Sequence, residues 1–151
     1  LLFGIIRTRS LRSLQVVAQD LSLTVEDKET ENNSLPFQNH DYFLELGSRL
    51  KDYMEDGRPY LSKNFNLSEA SRFLNVPQHH LTLCIREIFD DNFSGFRNSY
   101  RISHAQSILK DPSNAIKTID AIADETGFSS RTSFYKACDR ITGISPNEYR
   151  V

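Results

Sequence analysis

The sequence predicts an all-α protein of two helix-turn-helix subdomains joined by a long linker helix, about seven helices in all. Three observations predict it: two short helix–turn–helix patterns occur between Asn66 and Arg150, and a long basic helical segment lies between them. Thr118–Arg150 carries the clearer pattern. Ile119, Ile122 and Ala123 recur at helical spacing, Gly127 supplies the turn, and Phe134, Cys138 and Ile141 form a second apolar stripe. Opposite that stripe lie Ser129, Arg131, Thr132, Ser133, Tyr135, Lys136 and Arg140, all able to meet phosphates or base edges.

Taken in order, residues 1–19 hold LLFGII and then Arg7, Arg9 and Arg12 with no acid. They read as the end of an upstream domain with a basic flank, or as the inner end of a membrane span. Six such residues cannot themselves cross a bilayer, which needs about twenty. Residues 20–40 are acidic, polar and aperiodic, the signature of a flexible linker. Residues 41–151 read as the folded domain, divided into a first subdomain at 41–92, a linker helix at 93–111 and a second subdomain at 112–151.

Phe43, Leu46, Leu50 and Tyr53 make the first helical stripe, with Asp41 placed to cap its start and Gly57 to end it. Arg58-Pro59-Tyr60-Leu61 reads as an extended connection. Asn66 with Glu69 fits a capping box, and Ala70, Phe73 and Leu74 supply the inner face of a short helix. Pro77 suits the first position of the next helix, whose core side is Leu81, Ile85, Ile88 and Phe89. Its other side shows Gln78, His79, Thr82, Leu83 and Arg86.

The segment from Phe93 is a helix of about eighteen residues stopped by Asp111-Pro112. Phe96, Tyr100, Ala105, Ile108 and Leu109 face inward, while Arg97, Arg101 and Lys110 make it basic. Such a rod runs roughly 27 Å. With the width of the heads added, it can hold two readers about one DNA turn, near 34 Å, apart. Gly143 ends the second reading helix, Ser145-Pro146-Asn147-Glu148 opens a last short helix, and Tyr149 packs under that head.

Bulk properties narrow the classes. Net charge is −2, so there is no global basic field; residues 20–69 hold eleven acids against five bases, and residues 70–151 nine against ten. A binder built this way relies on local placement of charge. Mean hydropathy is −0.47. Cys84 and Cys138 lie in apolar helical patterns and read as buried, reduced thiols, which suits an intracellular compartment. His40, His79, His80 and His104 show no zinc spacing, and adjacent His79 and His80 do not share a helix face. No metal, cofactor or catalytic residue is expected.

Ile119, Ile122, Ala123, Gly127, Phe128, Phe134, Gly143, Ser145, Pro146, Tyr149 and Arg150 match the AraC/XylS signature at its own spacing. Residues 41–151 therefore resemble the C-terminal DNA-binding domain of that regulator family. Leu74-Asn75-Val76, His80-Leu81, Phe89, Phe93, Phe96, Arg101, Ala105 and Leu109 give a looser upstream match. The resemblance implies a sequence-specific transcription regulator, not an enzyme, whose two recognition helices enter adjacent major-groove segments of a promoter. It implies DNA contacts from His79, Thr82, Leu83 and Arg86 in the first head. In the second they come from Arg131, Thr132, Ser133, Tyr135 and Lys136, with Ser129 and Ser130 at the helix start to meet phosphate. Double-stranded DNA and RNA polymerase are the implied partners. An effector acting through an upstream domain, dimerisation through that domain, and a cytoplasmic site, free or tethered to the membrane's inner face, are also implied.

The chain departs from the family at Cys138-Asp139, where Phe-Lys is usual, and at Leu83, where a polar reader is common. Two alternatives are a helical interaction module that has lost DNA binding and a DNA-repair protein sharing the fold. The latter would need a cysteine-centred catalytic motif or zinc ligands.

Overall fold

The computed structural model describes residues 40–150. The basic flank and most of the acidic linker expected before them lie outside the described residues. Among the described residues there are six α-helices, three 3-10 turns and no strand. The helices are α1 His40–Gly57, α2 Leu67–Leu74, α3 Gln78–Phe89, α4 Phe93–Lys110, α5 Ile119–Glu125 and α6 Arg131–Thr142. The short helix expected at the C-terminal end is a four-residue 3-10 turn, Pro146–Tyr149. No helix among the described residues is long and apolar enough to cross a membrane.

Two hydrophobic cores organise these helices. The first gathers Phe43, Leu46, Leu50 and Met54 of α1, Ala70 and Leu74 of α2, and Leu81, Cys84 and Ile85 of α3. Leu50 and Met54 are fully buried, while Tyr53, expected on that stripe, is half-buried. The apolar face therefore continues at the i+4 position rather than i+3. Each such aliphatic side chain contributes about 1.5–3 kcal/mol by leaving water.

Side chains cap the starts of α2, α4 and α5, of which the sequence predicts the first, at Asn66. Asn66 Oδ1 accepts from Glu69 N at 3.1 Å, Asn92 Oδ1 from Gly95 N at 3.0 Å, and Thr118 Oγ1 from Ala121 N at 3.1 Å. Each satisfies an N–H that the first helical turn leaves without a partner. Asp41 sits in the first turn of α1 rather than before it. Pro77 precedes α3 as its N-cap. Gly143 ends α6 at φ 74°, its N–H bonded to Asp139 O at 2.9 Å.

Two further expectations fail, for identifiable reasons. Residues 58–61 are not extended: Arg58 is left-handed at φ 45°, and Pro59–Leu61 is a 3-10 turn that buries Tyr60. Proline's fixed φ suits the first position of such a turn as well as an extended chain. Phe73 is 64% exposed rather than inward. The buried arc of α2 is centred between Ala70 and Ser71, which leaves Phe73 roughly 110° around the helix. Its ring instead stacks on Tyr53 at 3.8 Å. Phe73→Ala is accordingly expected to cost about 1 kcal/mol in thermal unfolding, not the 3–5 kcal/mol of a core phenylalanine.

Helix α4 serves both cores. Phe96 belongs to the first, and Ile102, Ala105, Ile108 and Leu109 to the second, where they meet Ile119, Ile122 and Ala123 of α5 and Phe134, Ala137 and Cys138 of α6. Between the two stretches lies Arg101, only 3% exposed. Its Nε donates to Tyr60 O at 2.6 Å and its Nη2 to Ser62 O at 2.8 Å, while its guanidinium lies 5.5 Å from the centre of the Phe128 ring. Burial, with the nearby Arg97 charge adding to it, pulls its pKa down to about 10, so it stays charged at neutral pH.

Gly127 completes this seam. Its φ is +85°, and a Cβ there would stand 2.7 Å from Tyr60 O and 2.8 Å from Leu61 O. Lys63 pairs with Asp124 across the same junction. The two helix-turn-helix units thus touch directly, besides being strung on one helix.

Both cysteines are free and buried. Burial pushes each thiol up to about 11, so both are protonated at neutral pH. A disulfide-exchange dye should therefore label them no faster than the native protein opens; rapid stoichiometric labelling at neutral pH would contradict the packing.

Candidate nucleic-acid interface

In a helix-turn-helix the second helix offers the residues that leave its own core face bare. On α3 that core face is Leu81, Cys84 and Ile85. Gln78, His79, Thr82 and Arg86 are exposed; Gln78, Thr82 and Arg86 stand at the i, i+4, i+8 spacing that runs along one side of a helix, with His79 beside them. Thr82 Oγ1 donates to Gln78 O at 2.9 Å, so its hydroxyl is already committed in the free protein. Arg86 reaches only its neighbour Glu87, at 3.3 Å, and its side chain is 66% exposed.

Leu83 stands apart from the strip: it is half-buried against the first core. Its methyl groups support α3 more than they present themselves outward. His80 also turns inward, accepting or donating at Nδ1 with Tyr42 Oη at 2.9 Å, while His79 packs edge-on against it and stays exposed. Gln78 belongs to the exposed strip, as the outer side of the helical pattern suggests. Among the described residues no group of three or more His, Cys, Asp or Glu could hold a metal ion.

On α6 the core face is Phe134, Ala137 and Cys138. Arg131, Thr132 and Lys136 are exposed; Ser133 and Tyr135 are half-buried. Ser129 and Ser130 are exposed just ahead of the helix. Ser130 is the N-cap, its Oγ accepting from Ser133 N at 3.2 Å, and the Ser133 hydroxyl donates back to Ser130 O at 2.8 Å. The two serines thus bind each other and fix the helix start. Arg131 and Tyr135 are joined as well, Nη2 donating to Tyr135 Oη at 3.2 Å. That hydrogen bond, together with the Asp120 charge, holds the Arg131 pKa above its ordinary value.

The charge around α5 is balanced locally. Its three acids each meet a cation from elsewhere: Asp120 with Arg131, Asp124 with Lys63, and Glu125 with Lys117. Exposed pairs of this kind add little stability, about 0–1 kcal/mol each. Asp139, the position where a positive residue was expected, is exposed on α6. Asp120 and Asn147 were not singled out by the sequence. Asp120 reads there as an ordinary first-turn acid, because Arg131 lies eleven residues away.

Residues 70–151 match the protein family described as helix-turn-helix domain. An uncharacterized HTH-type transcriptional regulator, SAS0078 of Staphylococcus aureus (strain MSSA476), is 32% identical over 99 residues. That match covers 66% of this chain but 12% of the relative, so the chain spans a small part of that relative's length. Among solved structures, the C-terminal domain of AraT, a response regulator from Geobacillus stearothermophilus, superposes with a TM-score of 0.59 at 25% identity. The overlap takes in 68% of this chain and 81% of that one. A transcriptional regulator from Chromobacterium violaceum, described as an AraC-type DNA-binding domain-containing protein, gives 0.58 at 20% identity over 70% and 93% of the two chains, which supports the fold alone.

Proposed function

The chain belongs to the AraC-type helix-turn-helix family of DNA-binding transcription regulators, and from that premise we propose that α3 and α6 enter adjacent major-groove segments of one duplex. The observation that carries this reading is the shared scaffold. Two helix-turn-helix units each leave the outer strip of their second helix exposed, and α4 with the Arg101–Gly127 seam fixes one against the other. Held in this way, the second head docks without a further search once the first has bound.

On this reading His79, Thr82 and Arg86 are the first head's contacts, and Arg131, Thr132 and Lys136 the second's. Ser129 and Ser130, at the start of α6, face the phosphate backbone. Ser133 and Tyr135 act by holding the helix start and Arg131, and Leu83 by packing, with its exposed edge available to a thymine methyl. Contact with RNA polymerase, response to an effector and dimerisation belong, in this proposal, to the whole regulator, which works in the cytoplasm where promoter DNA lies.

A salt titration tests the reading. Log affinity for duplex DNA is expected to fall linearly with log salt, with a slope of about 0.9 per phosphate neutralised. Lys136→Ala is expected to weaken binding to all sequences alike and to reduce that slope by about one. Affinity that does not change with salt would refute DNA binding by these helices. Backbone protection mapping should show two protected segments about one helical turn, near 34 Å, apart; a single segment would mean that only one head engages.

A further inference from the structure

Arg131 opens α6, and its guanidinium is held from two sides. Nη1 lies 3.4 Å from Asp120 Oδ2 on α5, and Nη2 lies 3.2 Å from Tyr135 Oη, one turn further along α6. The guanidinium carbon stands 5.1 Å from the centre of the Tyr135 ring. Tyr135 is fixed in turn: its ring packs against the second core, and its hydroxyl accepts from Asn147 Nδ2 at 3.3 Å. Three side chains, from α5, α6 and the C-terminal 3-10 turn, thus set the direction of one arginine, whose side chain remains 59% exposed.

The chemistry of this clamp favours a base over a phosphate. A guanidinium offers five N–H donors in a planar fork, of which the clamp uses two. The free donors can meet the O6 and N7 acceptors of a guanine, which carry no net charge and are repelled by a nearby carboxylate far less than a phosphate is. A phosphate taken by Arg131 would bring a second negative charge beside Asp120, and the two would repel. An arginine meant only to grip the backbone gains nothing from this neighbour.

We propose that Asp120 is a positioning residue that turns Arg131 toward guanine and makes one step of the bound site a G·C pair. This rests on the reading that α6 lies in a major groove.

The test is selection of bound duplexes from a randomised library by the chain as given, scored base by base. The wild-type protein should enrich guanine strongly at one position within the second head's segment. Arg131→Lys, which keeps the charge but not the fork, should lose that enrichment. Asp120→Asn, nearly isosteric, should cut it about tenfold at that position alone. It should also raise affinity for unselected DNA, and Asp120→Glu should restore part of the preference. Combined with Arg131→Lys, Asp120→Asn should add no further loss at that position. Unchanged guanine enrichment in Asp120→Asn, or equal loss at every position, would overturn the proposal while leaving groove binding intact. If the wild-type protein enriched no sequence at all, the groove-reading premise would fall, and this proposal with it.

Discussion

Gly127→Ala is expected to cost the folded protein on the order of 3 kcal/mol, the sum of two penalties at one atom. The backbone there is left-handed, φ +85°, which costs a residue with a side chain about 1–2 kcal/mol. The new methyl would also stand 2.7 Å from Tyr60 O and 2.8 Å from Leu61 O. Those are backbone atoms of a 3-10 turn and cannot rotate aside as a side chain could. Relief requires moving the turn between α5 and α6 away from the first subdomain. For a folded region of this size the loss corresponds to a fall in Tm of roughly 10 °C, measurable by circular dichroism on heating. A Tm unchanged within about 2 °C would show that the two units do not press together at this point.

Arg101→Met should be nearly as costly, on the order of 2–3 kcal/mol, although it deletes no apolar volume to speak of. It leaves Tyr60 O and Ser62 O without the donors that now reach them at 2.6 and 2.8 Å. Relief from burying a cation offsets part of this, because desolvation lowers the Arg101 pKa. The more telling readout is binding. If the seam sets the separation of the heads, Arg101→Met should weaken affinity for a full two-segment site more than affinity for a site matching one head. Equal weakening on both would assign Arg101 to folding alone. Because Arg101 and Gly127 both act on the Tyr60 carbonyl, the two substitutions together should cost less than the sum of the two separately.

Features whose partners lie within a few residues were legible in the sequence. The cap at Asn66 belongs to that group, and Gly127, Gly143 and the eighteen residues of α4 follow from punctuation visible in the chain; Asn92 and Thr118 are equally local caps that the sequence pattern did not single out. What escaped depends on distant atoms. Arg101 reads as one more surface base on a basic helix, and its burial depends on carbonyls 41 and 39 residues away. Phe73 fits a helical stripe, but the direction in which α2 faces its core is set by α1 and α3, not by α2 itself. The candidate DNA strips were legible for the same reason as the caps. Helical periodicity separates Phe134 and Cys138 from Arg131, Thr132 and Lys136 with no tertiary information. The Asp120–Arg131 clamp crosses from one helix to the next, and no periodic pattern encodes it.

The double duty of α4 bears on how this domain can change in evolution. Phe96 is committed to one core and Ile102 to Leu109 to the other. Inserting or deleting a single residue between them would rotate the second head by about 100° and shift it by about 1.5 Å. A base pair gained or lost between two target segments turns the groove by only about a tenth of a revolution. If α3 and α6 read two segments of one duplex, as proposed, protein and promoter cannot drift apart and back together in matching single steps. On that proposal, spacing between the two target segments should stay fixed across descendants of this domain, while the bases within each segment vary with the exposed strips of α3 and α6.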